Sequence, residues 1–357
     1  MSDSVPIGRA PAGLRVGLGF LNLAPSPERA DAEALFTELL EDAAWADGAG
    51  FDGLWVTEHH FSTYSLTSSP LLLLAQVAAL APRLRVGTSV LVLPLWDPVR
   101  LACDVSTLDV LSGGRLDVGI GRGYQPHEFR VFGREPEDSR ARYEETALVL
   151  RKLLSERDTS FEGAFHRLGA PATVLPRVAQ RPHPPIWAAA LSPDSVAFAV
   201  REGFHFMVNA AMPEPAVLDH CRAVRRSLAS AEVPAAGREI AVNRFVHVGT
   251  DPATRRLAVR EVARQLATSR ALAEGGVPLG GAAPYPRTQD VSTEELAAAE
   301  DLLVAGSAEE VTERLARLTE AGVTYVIAGF RFGRFPSEAA RESMQAFTEG
   351  CLPWISG

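Results

Sequence analysis

The chain has 357 residues, of which 46% are hydrophobic and 22% charged, with a formal net charge of −9. Those values fit a globular chain with a large core. They offer no basic stripe for nucleic acid. Only Lys152 among the 35 basic residues is a lysine, which reads as a codon bias and not as a binding feature. Cys103, Cys221 and Cys351 are far apart and form no CxxC pair. That spacing predicts reduced thiols in a cytoplasmic protein, with neither a disulfide framework nor a zinc site. The opening MSDSVPIGRAPAG is polar and reads as a flexible N-terminus over 1–13, without the apolar stretch of a signal peptide. The longest apolar run, 71–81, is too short to span a bilayer.

In chain order, short β-rich runs alternate with helical stretches. Strands are predicted at 15–20, 53–56, 85–93, 116–121, 185–190, 205–210, 240–249 and 325–330. Helices are predicted at 28–49, 70–81, 98–112, 138–154, 193–202, 213–230, 252–272 and 307–321. Eight strands alternating with helices predict one closed parallel (β/α)8 TIM barrel, a single domain over 1–357. A doubly wound open sheet is the alternative, but Gly17-Leu-Gly19 lacks the third glycine of a dinucleotide fingerprint. Two stretches interrupt the alternation. Residues 158–185 read as an inserted hairpin with a proline-rich lead-in. Residues 273–292 hold four glycines and three prolines without periodicity, which suits a long mobile lid loop.

Three stretches could carry chemistry. The first, Thr57-Glu58-His59-His60-Phe61, follows a strand end. Imidazole suits acid–base work near neutral pH, and adjacent side chains on extended backbone point to opposite sides, so at most one histidine should face the barrel mouth. A pair of ordinary loop histidines reads as well. A metal site is disfavoured because no carboxylate or histidine set at helical spacing accompanies the pair. The second is Gly119-Ile120-Gly121-Arg122-Gly123-Tyr124. Glycines at a strand end admit a ligand close to the backbone, and Arg122 could fork onto a phosphate. A tight barrel corner fits the same glycines equally. The third is Ala189-Ala190-Leu191-Ser192-Pro193-Asp194-Ser195. Ser192 reads as an N-cap with Pro193 in the first helical position. Such a helix start can bind an anion, or it can simply cap the helix.

Taken together, these residues resemble the bacterial luciferase-like monooxygenases. The resemblance is densest over 50–133, in GFDGLWVTEHHF, LRVGTSVLVLPLWDPVRLACDVSTLDVLSGGRLDVGIGRG and EFRVFG, and extends to ALSPDS and the late YVIAGF strand. It implies a barrel that binds reduced FMN, delivered by a separate flavin reductase, and uses O2 through a C4a-peroxyflavin to oxygenate a small organic substrate. It implies His59 as the catalytic histidine. It places a non-proline cis peptide, the bed of the isoalloxazine ring, at Ser89–Val90. It assigns Arg122, Arg140, Leu191, Ser192 and Ser195 to the phosphate, Glu128 to an acidic position near the flavin, and Tyr124 and Ala189 to the same cofactor wall. It also implies a homodimer formed through the region of the apolar 70–81 helix. Four residues depart from the pattern. Gly121 replaces the reactive cysteine of luciferase, so light emission is not expected. Cys103 stands where glutamate is usual, and Trp96 and Asp97 enlarge the loop after the third strand. An F420-dependent hydride-transfer enzyme and a non-catalytic flavin-binding protein are the competing readings.

Overall fold

The computed structural model describes residues 13–21, 23–24, 28–231, 237–275 and 291–356. Most of the 1–13 terminus and of the 273–292 stretch therefore lies outside the described residues. The chain forms a closed parallel barrel. Its strands are β1 (Arg15–Phe20), β2 (Gly53–Val56), β3 (Arg85–Thr88) with β4 (Leu91–Val92), β5 (Leu116–Gly121), β6 (Ile186–Ala189), β7 (His205–Val208), β8 (Ile240–Val248) and β10 (Tyr325–Arg331). Pairing runs in that order, and β10 closes the ring by pairing with both β8 and β1. The expected 85–93 strand is divided at a cis peptide between Ser89 and Val90.

Helices coat the outside: α1 (Arg29–Ala49), α2 (Pro70–Leu80), α3 (Pro98–Leu111), α4 (Pro126–Val131), α5 (Ser139–Ser155), α6 (Pro193–Glu202), α7 (Glu214–Ala229) and α8 (Pro252–Ala273). The crossover from β8 to β10 is longer than the sequence pattern suggests. It also holds α9 (Thr293–Leu302), the strand β9 (Leu303–Gly306) and α10 (Ala308–Glu320). The four-residue β9 lies outside the barrel and pairs with the far half of β8, which explains why β8 is nine residues long. The helix expected at 307–321 thus precedes the last barrel strand. The helix that follows that strand is α11 (Ser337–Gly350), with α12 (Leu352–Ile355) after it. The 158–185 insertion contains antiparallel bridges Thr159 to Ala172 and Glu162 to Arg167. Glu145 of α5 pins its tip by accepting hydrogen bonds from the backbone N–H groups of Ala164, Phe165 and His166.

Why the barrel is solid below its mouth follows from its large inward side chains. Trp55, Trp187, Met207, Ala241, Tyr325 and Ile327 form one enclosed cluster. The two indole N–H groups are satisfied inside it: Trp55 donates to the Tyr325 hydroxyl at 3.1 Å and Trp187 to Asp117 at 3.0 Å. Burying aromatic rings with their polar tips bonded secures the packing gain without an orphan donor. A second, larger apolar layer packs the outer strand faces against the helices.

His205 stacks on Trp187 at 4.6 Å between ring centroids and accepts the Glu239 N–H. Burial pulls its pKa down to about 4. The unfolded chain takes up this proton near the ordinary histidine value of about 6.5. Between those two values the unfolded state therefore binds more protons, and stability falls as pH drops through that window. In urea unfolding series from pH 7 to 4, His205→Gln should show a shallower acid decline than wild type. Parallel declines would mean that other groups set the acid limit.

Candidate active site

A cavity of about 910 Å³ opens at the carboxyl ends of the strands, the face where barrels of this kind place their chemistry. Its floor is the aromatic plug, since Trp55, Met207 and Ile327 line both. Its walls bring together every site residue expected from the sequence. His59, Ser89, Val90, Arg122, Tyr124, Glu128, Arg140, Ala189, Leu191, Ser192 and Ser195 all line this one space.

The histidine pair divides as the extended backbone requires. His59 lines the cavity, whereas the His60 ring turns into the wall. There His60 Nε2 meets Glu58 at 2.8 Å, and its ring lies edge-on to Phe132 at 4.9 Å. Glu58 is almost fully buried and also accepts from the Val92 N–H at 2.8 Å and the Trp96 indole at 3.0 Å. One carboxylate thus ties the histidine loop to β4 and the segment after it. The bulk of Trp96 has a use here, because its indole N–H completes the shell around a buried charge. Glu128, at the start of α4, serves the opposite side. Its Oε1 accepts the His60 N–H at 2.8 Å and lies 3.4 Å from His59 Nδ1. The acidic position expected near the cofactor is therefore also a clamp on the histidine backbone.

Two tyrosines close over His59. The Tyr64 ring stands edge-on at 4.8 Å and the Tyr124 ring at 6.1 Å. Burial pushes both hydroxyls above the usual tyrosine range, Tyr64 most, although part of the Tyr124 ring reaches the mouth. Both stay neutral near pH 7 and can donate or accept.

On the other wall, Ser192 caps α6 in a reciprocal capping box with Ser195. Plain capping is therefore real, and the helix start also faces the cavity. Arg140 is held by Glu144 at 3.1 Å and lies 3.6 Å from Asp194. Arg122 is exposed and makes no ion pair among the described residues, so it is the freer of the two cations. The glycines of β5 resolve toward the barrel-corner reading. A Cβ on Gly119 would sit 1.8 Å from the Thr88 carbonyl oxygen, and one on Gly121 would sit 2.5 Å from Val90 Cγ2. Their missing side chains make room for the β3–β4 segment, so that Val90 can reach the cavity.

Sequence reasoning passed over Glu58, Tyr64 and Gln125. Glu58 lay inside the quoted motif, but nothing in its spacing announced three donors. Tyr64 and Gln125 gave no signal, because their roles come from contacts across the barrel mouth. Among the described residues, no helix is long and apolar enough to cross a membrane.

A parallel barrel with a histidine-walled cavity at its carboxyl end defines a TIM-barrel enzyme that works on a ligand held in the strand-end loops. Comparison with known proteins narrows this class. The family model for luciferase-like monooxygenases matches residues 17–325, and the chain belongs to that family. It is 31% identical over 192 residues to the oxygenase component of the flavin-dependent trigonelline monooxygenase of Acinetobacter baylyi, a match covering 53% of each chain. It is 32% identical over 167 residues to an alkanal monooxygenase alpha chain of Photorhabdus luminescens, covering 46% of this chain and 45% of that one. The matched stretches span about half the length of these curated relatives. Among solved structures, the monooxygenase RslO1 of Streptomyces bottropensis superposes with a TM-score of 0.78 at 29% identity, over 95% of this chain and 99% of that one. An F420-dependent secondary alcohol dehydrogenase shares the fold, with a TM-score of 0.71 at 18% identity.

Proposed function

We propose that this protein is the oxygenase of a two-component, cytoplasmic flavin monooxygenase. In this reading it takes FMNH2 from a separate reductase and uses O2 to oxygenate a small organic substrate. The observation that carries the reading is the joint lining of one cavity by His59, the Ser89–Val90 bed, Arg122 and the start of α6. The residues present suit a reduced flavin mononucleotide. Val90 offers an apolar surface for a ring system, while a free guanidinium and a helix N-terminus suit one terminal phosphate. Glu128 also presents a buried oxygen, Oε2, that has no hydrogen-bond partner among the described residues. When bound, the reduced flavin supplies the activation of dioxygen. The protein's residues do the rest. Arg122 and Ser192 anchor the phosphate, Ser89 and Val90 seat the ring, the tyrosines exclude water, and His59 holds or moves a proton at the substrate side. The barrel with its 158–185 hairpin works as a single domain.

The cofactor assignment has a direct test in anaerobic titration. FMNH2 should bind at micromolar concentration or tighter, and reduced FAD much more weakly, because its adenylate would have to leave the mouth. Arg122→Ala removes a charge-assisted contact, typically about 1.5–3 kcal/mol, so FMNH2 affinity should fall roughly tenfold or more. Its melting temperature should stay near wild type, because the side chain is exposed and makes no ion pair among the described residues. Equal affinity for FMN and FAD, or an unfolded variant, would remove the phosphate role. The F420-using fold neighbours make a deazaflavin the competing occupant. Preferential binding of reduced F420 in the same titration would select it.

We also propose a homodimer through α2 and α3. The inner side of α2 is buried in the barrel wall through Leu71, Leu74 and Val77, yet Leu72 is 74% and Leu80 47% exposed. On α3, Val110 and Leu111 are exposed as well. Apolar side chains on neighbouring outer helices suit burial against a second copy. Light scattering at micromolar concentration should give twice the chain mass. Leu72→Asp should shift the population to monomer, and a wild-type monomer would refute the proposal.

A further inference from the structure

Gln125 is fully enclosed at the N-cap of α4, and its side chain makes no capping hydrogen bond. Its amide nitrogen lies 3.0 Å from His59 Nδ1 and 3.2 Å from the Tyr124 hydroxyl oxygen. That hydroxyl lies 2.9 Å from Ser269 Oγ on α8. The amide oxygen has no hydrogen-bond partner among the described residues.

The direction of this amide limits what His59 can be. A carboxamide donates only through its NH2 and accepts only through its oxygen. With the nitrogen toward His59 and Tyr124, both N–H groups find acceptors, provided that Nδ1 is bare and Tyr124 passes its own proton to Ser269. One buried oxygen is then left over. With the amide reversed, its NH2 takes the buried position at which the oxygen has no hydrogen-bond partner among the described residues. That arrangement costs more, because orphaned donors are rarer in protein interiors than under-satisfied oxygens. Glu128 Oε1 lies 3.4 Å from the same Nδ1 and favours a proton there. That oxygen also accepts the His60 N–H at 2.8 Å, a shorter contact than the one to Nδ1, and the Gln125 nitrogen at 3.0 Å is the nearer group to the ring nitrogen. The other groups around the ring are the Tyr64 and Tyr124 rings, with Gln265 and Ser269 behind the tyrosine hydroxyls. Glu58 faces His60 instead.

We propose that Gln125 is a positioning residue that holds His59 as the neutral ring with its proton on Nε2. A proton donor then faces the cavity, and the bare nitrogen is turned to the wall. This deepens the acid–base reading of His59 and rests on it, but the tautomer itself can be observed without turnover.

The test is nitrogen NMR of the cofactor-free, full-length protein labelled with 15N-histidine, with His59→Gln used to assign the ring. In wild type at neutral pH, His59 should show an unprotonated Nδ1 and a protonated Nε2. Gln125→Leu removes the donor and leaves only the Glu128 carboxylate beside Nδ1. Gln125→Glu puts a second acceptor there. Both should move the proton to Nδ1. In loaded enzyme, both should lower product formed per NADH consumed by about tenfold, at the lower end of a general acid–base contribution. A wild-type ring protonated on Nδ1 would overturn the proposal, and so would a Gln125→Leu ring that keeps its proton on Nε2. The wild-type spectrum decides the tautomer even if a variant folds poorly. If the spectra come out as expected but His59→Ala turns over normally, the acid–base reading of His59 fails and the Gln125 assignment stands.

Discussion

His59→Ala should bind FMNH2 within about threefold of wild type, while product formation falls by about 10²–10⁴, the usual size of a general acid–base contribution. The two effects separate because the His59 ring lies among Glu128, Gln125, Tyr64 and Tyr124, whereas the phosphate candidates Arg122 and Ser192 are other parts of the lining. Truncation to alanine leaves the backbone clamp from Glu128 to the His60 N–H in place, so the loop keeps its path. Oxygen consumption should continue, with peroxide replacing organic product. The measurement is product and peroxide per NADH in a reductase-coupled assay. His60→Ala provides the contrast. Its ring is bonded to Glu58 in the wall, so its loss should leave a buried carboxylate one partner short and lower stability more than chemistry. A His59 variant with wild-type rate and coupling would remove the acid–base role from this residue.

Gly119→Ala should be among the most damaging single-methyl changes in the protein. The added Cβ would lie 1.8 Å from the Thr88 carbonyl oxygen, a backbone atom. Thr88 cannot withdraw easily, because its hydroxyl donates to the Gly119 carbonyl at 2.8 Å and the residue is fully buried. Relief requires β3 and β5 to separate, and the Ser89–Val90 bed would move with them. Overpacking of this kind costs roughly 3 kcal/mol or more when backbone must shift. The expected result is a lower urea midpoint with loss of FMNH2 binding. Gly121→Ala is the matched comparison. Its Cβ would meet Val90 Cγ2, a side-chain methyl, at 2.5 Å, and a turn of the Val90 side chain can absorb part of that clash. Its cost should be nearer 1–2 kcal/mol. Equal stability of the Gly119 variant and wild type would show that these glycines were not selected for strand packing.

The barrel was legible in the sequence because its cause is local and repeated. Short β-rich runs alternate with helical stretches, and cap residues such as Ser192 and Asp251 mark helix starts. Parallel strands joined by helices have few ways to close. That the residues of the family motif would share one cavity was legible for the same reason, since they lie near the ends of strands or the starts of helices. The crossover from β8 to β10 was not. Its strand β9 is four residues that count as a strand only because the far half of β8 offers a partner. The burial of Glu58, the T-shaped closure of Tyr64 over His59 and the amide of Gln125 against Nδ1 were equally hidden. Glu58 meets His60 on its own loop and two donors, Val92 and Trp96, more than thirty positions away, and Gln125 meets a histidine 66 positions away. The glycines of β5 show the division most plainly. The sequence alone allowed either a ligand or a corner beside Gly119 and Gly121. Only the closed ring, which brings Thr88 and Val90 across onto β5, decided which atoms fill the space that a side chain would have taken.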